Sequence, residues 1–235
     1  MNINKKIHAE IKALGNSEYA VRMQSYFKTG KGEYAEGDRF LGIRMPVLRA
    51  TIKKYKHISI DEAFEVLTSR YHEVRMFALL LLVELFKSAN EKDKKKIFSG
   101  YLHNTQYINN WDLVDSSAGR IIGAYLSERD KKPIYKLSRS KNLWERRISI
   151  IATSCFIANN DFDDCLKISE ILLHDEEDLI HKAVGWMLRE VGNRDITVEE
   201  RFLKKYYQQM PRTMLRYAIE RFSEPKRKGY LHGTI

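Results

Sequence analysis

The sequence predicts an all-α protein, an α-solenoid of stacked helical hairpins running as a single domain over residues 1–235. Three observations lead to that class. Apolar residues recur at spacings of three and four rather than two, and no stretch alternates as a strand would. Only 4 prolines and 12 glycines punctuate the 235 residues, which leaves room for long helices and short breaks. Segments of the chain also resemble one another at a period of about 36 residues, the mark of a repeat architecture.

In chain order, helices are expected over 7–14 and 19–26, ending at Thr29-Gly30-Lys31-Gly32. The loop that follows runs to Asp38 as a connector. It lacks the Gly-Lys-Ser/Thr ending and the preceding strand of a phosphate loop. Beyond Pro46 the periodicity predicts helices over 47–55, 60–68, 72–89 and 91–101. Further helices follow over 111–126, 131–138, 143–158, 162–173, 178–191, 197–207 and 211–222. The last residues, with Lys226-Arg227-Lys228, read as a basic tail that frays at its end and flanks an anionic partner.

Composition narrows the function. With 41 Lys and Arg against 31 Asp and Glu, the net charge is +10, which favours an anionic partner such as nucleic acid. Cys155 and Cys165 show neither a zinc-site spacing nor a disulfide framework, in keeping with a reducing cytoplasm. The longest apolar run, 76–83, is far too short for a membrane span, and the first residues do not read as a signal peptide. His72, His103, His174 and His181 lack the pair spacing or carboxylate partners of a metal site and read as surface or packing residues.

The repeat singles out a set of residues. His72-Glu73-Val74-Arg75 and Trp144-Glu145-Arg146-Arg147 align without gaps, which places Arg147 72 positions after Arg75. Half that distance reaches Trp111, and another 35 residues beyond Arg147 reaches Lys182. One helical turn later in the same phase come Asp115 and Trp186. Residues of one phase should form a row on one wall of the stack, here cationic, aromatic and acidic together. Taken alone, 109–119 would be a capped helix with a packed Trp and solvated acids, and Trp144 is assigned to packing.

Cations hold phosphates, and tryptophan faces pack on a sugar or base. The acid is the anomaly, because a carboxylate repels a phosphate backbone. It has a use where positive charge develops on the ligand, as in the oxocarbenium-like state of N-glycosidic hydrolysis or on an alkylated base. Near a helix start and a cation, Asp115 is expected to stay ionised.

Four motifs carry a family resemblance: Phe40-Leu41-Gly42-Ile43-Arg44-Met45-Pro46, Asn110-Trp111-Asp112-Leu113-Val114-Asp115, Trp144-Glu145-Arg146-Arg147 and His181-Lys182-Ala183-Val184-Gly185-Trp186. Together they resemble the AlkD-type DNA alkylation-repair glycosylases, from about Tyr19 to the basic tail. The resemblance implies HEAT-like repeats with a concave DNA-binding face. It further implies excision of N3- and N7-alkylated purines from duplex DNA in base excision repair, without metal or nucleotide cofactor and without full base flipping. By motif, Asp115 resembles the catalytic carboxylate, Trp111 and Trp186 the aromatic pair around the lesion, and Arg147 the phosphate-side cation. Tyr26 matches an aromatic at the cleft edge, and Arg75, Lys182 and Arg44 complete the expected DNA contacts. The chain departs from the pattern at Arg44, where well-known members carry Gln, and in a longer loop over 29–38. A cytoplasmic monomer, nucleoid-associated when bound to DNA, is expected. The alternatives are a non-catalytic binder of branched or damaged DNA and a protein-binding scaffold.

Overall fold

The computed structural model describes residues 3–235, which fall into two compact units, 3–117 and 118–235. Both are helical, in agreement with the all-α class. Among the described residues the β pairing is an isolated parallel bridge between Arg39 and Tyr71, and no helix is long and apolar enough to cross a membrane.

The first unit contains α1 (Ile3–Ala13), α2 (Ser17–Tyr26), α3 (Met45–Ile52), α4 (Ile60–Leu67), α5 (His72–Ser88), α6 (Glu91–His103) and the body of α7 (Trp111–Ala118). Local chemistry sets these starts. Asn16 accepts the Tyr19 amide at 2.8 Å, Pro46 opens α3, and Ser59 and Glu62 form a reciprocal capping box at α4. The run Met76–Val83 is apolar on every side, so α5 is enclosed on nearly its whole circumference, with α1, α3, α4 and α6 packed on it. Each Leu or Phe so enclosed contributes roughly 1.5–3 kcal/mol of transfer free energy.

The second unit contains a π-helical turn (Gly119–Gly123), α8 (Ala124–Leu126), α9 (Lys132–Leu137), α10 (Leu143–Ala152), α11 (Ser154–Ala158) and α12 (Asp163–Ile171). After these come α13 (Asp178–Arg194), α14 (Ile196–Tyr206), α15 (Arg212–Ala218) and α16 (Glu224–His232). Here α13 is central, packed against α10, α14 and α15. Gly185 permits the approach of α15, since a Cβ there would stand 2.4 Å from the Met214 carbonyl oxygen.

Three expectations are corrected. The helix expected over 111–126 is interrupted by the π turn, and the one expected over 143–158 breaks at Thr153, whose hydroxyl donates to the Ile150 carbonyl at 2.7 Å. The basic tail is a docked helix: Tyr230 on α16 is 1% exposed, and Lys226 and Lys228 are paired with Glu200 and Glu224.

Candidate nucleic-acid interface

In the first unit the site is framed by the chain between α2 and α3. Gly42 has φ of 77°, and a Cβ there would fall 2.1 Å from the Asn16 carbonyl oxygen, so glycine is required on both counts. That turn aims three amides at one acid: Leu41 and Gly42 donate to the Glu73 carboxylate at 2.8 Å and Ile43 at 3.2 Å. The acid therefore works as a backbone clamp, which explains the Phe-Leu-Gly-Ile motif in physical terms.

Beside the clamp lies a buried charge cluster. The His72 ring places Nδ1 2.9 Å from Asp38 and Nε2 2.9 Å from Asp112. Arg75 donates to both oxygens of Asp38 at 2.8 and 2.9 Å, to the Ser69 carbonyl and to Asn109. Burial opposes charge on His72, but Asp112 and Asp38 overcome it and hold the imidazole up at about 9. Burial also works against ionised Asp38, and His72 and Arg75 outweigh it and hold that carboxyl below its ordinary value. This corrects the reading of His72 as a residue without carboxylate partners and of Asp112 as a merely solvated charge. Both ring nitrogens are occupied by carboxylates, so His72 presents no lone pair to a metal.

Four rings lead from His72 to Trp111. His72 stacks on Phe40 at 4.3 Å, Phe40 on Phe27 at 4.9 Å, and Phe27 on Trp111 at 5.2 Å with planes 16° apart. Tyr26, 63% exposed, meets the Trp111 indole edge to face at 6.3 Å. The rings open onto a cavity of about 500 Å³ lined by Tyr26, Phe27, Phe40, Met76, Trp111 and Asp112. Asp115 is half-buried one turn beyond Trp111 on α7.

The other expected contacts have partners of their own. Arg75, 4% exposed, is committed to Asp38, an arrangement suited to holding the fold rather than to meeting a phosphate. Arg44 lies over the Tyr19 ring at 5.6 Å, in a cleft with Glu18 and Arg22 that shares Tyr19 and Ile43 with the Trp111 cavity. In the second unit Arg147 is buried and donates from its guanidinium to the Leu179 carbonyl, while Lys182 pairs with Asp178 at 2.8 Å. Trp186 is half-buried on α13, its indole N–H donating to Glu190 at 3.0 Å at the edge of a cavity of about 270 Å³. Trp144 is buried, as a packing residue should be.

Sequence reasoning missed Asp38, His72, Asp112 and Phe27 as site residues. Separations of 34 and 40 residues match no helical spacing, so no local pattern announces the cluster.

The sequence profile of the family described as DNA alkylation repair enzyme matches residues 7–222. No curated protein matches the chain. A solved structure described as a predicted DNA alkylation repair enzyme from Enterococcus faecalis is similar, with a TM-score of 0.69 at 17% identity over 89% of this chain and 97% of that one. AlkD2 from Streptococcus mutans is similar with a TM-score of 0.55 at 18% identity, covering 88% of this chain and 98% of that one. At these identities the likeness speaks for the fold. The profile, spanning most of the sequence, establishes that the chain belongs to the DNA alkylation repair enzyme family.

Proposed function

We propose that the protein is a DNA glycosylase that hydrolyses the N-glycosidic bond of N3- and N7-alkylated purines in duplex DNA. One observation carries the reading: a chain of this repair family holds a half-buried carboxylate, Asp115, one turn from half-buried Trp111, whose indole meets the exposed Tyr26 ring. In the reaction the C1′–N bond breaks with its electron pair passing to the alkylated base, whose positive charge is thereby neutralised. Water adds its oxygen to C1′ and gives up a proton. Asp115 stabilises the positive charge developing on the sugar and orients that water. Trp111 and Trp186 are assigned to packing around the lesion's sugar and backbone. Tyr26, Arg44 and Lys182 are assigned to duplex contacts, buried Arg147 to its Leu179 carbonyl partner, and the net charge of +10 supplies general attraction to the phosphates. Arg75 is assigned instead to the buried cluster.

The test is incubation with duplex DNA carrying N7-methylguanine or N3-methyladenine. Release of free base that leaves an abasic site is the expected outcome. Salt-sensitive binding without base release would instead mark a non-catalytic binder of damaged or branched DNA.

A further inference from the structure

We propose that His72 is a positioning residue for the Trp111–Asp115 face, a doubly hydrogen-bonded imidazole that pins the first turn of α7 to the start of α5 and to the 38–44 loop. The proposal rests on the glycosylase reading for its meaning, while its geometry is independent of the chemistry.

Two routes link His72 to α7. The polar one runs from Nε2 to Asp112, the second residue of the helix, at 2.9 Å. The apolar one runs through the stacked Phe40 and Phe27 rings to Trp111. On the other side Nδ1 holds Asp38, itself fixed by Arg75 and by the Arg39 amide at 2.9 Å. The Arg39 carbonyl accepts the His72 amide at 2.9 Å, which ties the same loop to α5.

Charged groups stand around His72 from several elements, among them Arg49 of α3, which lines the same cavity. Asp38 comes from the loop, Asp112 from α7, and Arg75 and Glu73 from α5 itself. Glu73 is taken up by the backbone amides of the Phe-Leu-Gly-Ile turn. His72 and Arg75 then balance Asp38 and Asp112 when the ring carries both protons. A neutral imidazole has one donor and one acceptor, and an ionised carboxylate cannot donate. Loss of the proton must therefore break one of the two hydrogen bonds and leave the cluster with one excess negative charge. Of the two acids, Asp112 is the less enclosed, with its side chain 18% exposed against 1% for Asp38, so Asp112 is the one released. The first turn of α7 then loses its anchor, and an uncompensated carboxylate stands three residues from Asp115. The high proton affinity of the ring keeps this from happening at neutral pH.

Two measurements test the assignment. Nitrogen-edited NMR of the wild-type protein should show both ring nitrogens of His72 protonated at neutral pH. Single-turnover release of N7-methylguanine should fall on the alkaline side with a midpoint near 9. In Asp112→Asn that alkaline limb should move down by about one pH unit or more, because the ring loses a carboxylate partner. Unfolding curves taken at each pH keep loss of fold apart from loss of rate. A singly protonated ring at neutral pH, or an alkaline limb unmoved in Asp112→Asn, would overturn the proposal. Should the wild type release no base, the same pH series is read as affinity for undamaged duplex. A limb that shifts in Asp112→Asn then upholds the positioning role while the glycosylase reading fails.

Discussion

Phe27 and Trp111 lie almost parallel, their ring centroids 5.2 Å apart and their planes inclined by 16°. The two come from the end of α2 and the start of α7, so this stack sets where the indole stands relative to the cavity. Phe27 is buried, and Phe27→Ala should cost about 3–5 kcal/mol in urea unfolding by emptying the site behind the indole. Phe27→Leu should cost less and still slow base release, since it keeps volume but loses the flat backing of Trp111.

Gly42→Ala puts a Cβ into a left-handed residue and against the Asn16 carbonyl oxygen, at 2.1 Å. The expected loss is about 1–3 kcal/mol from backbone strain alone, with more from the clash. Glu73→Gln should weaken the same turn, because one neutral amide replaces a carboxylate that accepts three backbone N–H groups. Thermal unfolding of both variants checks this.

Arg75→Met removes the guanidinium from buried Asp38 and should destabilise the protein by about 3–5 kcal/mol near neutral pH. The penalty has a defined pH dependence. Asp38 titrates below its ordinary 3.8 in the folded protein, so its stabilisation is fully present above 3.8 and disappears as pH falls through the folded value. The gap between wild type and Arg75→Met in denaturant titrations should therefore narrow in acid.

Glu199 behaves in the opposite sense. It is 1% exposed with Oε1 unpartnered, and burial, helped by Glu200 and countered by Arg189 and Lys226, pushes it up to about 8. The folded state prefers this acid protonated, so stability falls as pH rises from the ordinary carboxylate value through about 8. Glu199→Gln should raise the melting temperature most above pH 8 and least in acid, which differential scanning calorimetry across pH would show.

The helical class and most helix starts were legible because they depend on neighbours in sequence: the 3.6-residue period, the Ser59–Glu62 box and Pro46. The breaks at Thr153 and Gly119–Gly123 were not, since they answer to packing within the second unit rather than to periodicity. The final helix had its punctuation in view, with Ser223 and Pro225 at its start and left-handed Gly233 at its end, but its charges outweighed those signals. For the candidate site, the repeat register grouped Arg75 with Trp111 but could not tell a surface cation from one neutralised inside. The acid that neutralises Arg75 lies 37 residues earlier, in an irregular loop. The Asp38–His72–Asp112 cluster was invisible for the same reason.

The role of Asp115 is tested by single-turnover release of N7-methylguanine from duplex DNA by wild type and Asp115→Asn. Asp115→Asn should lose about 100-fold or more in rate, with the unfolding midpoint retained and duplex affinity little changed. Base release at the wild-type rate by Asp115→Asn would contradict that role.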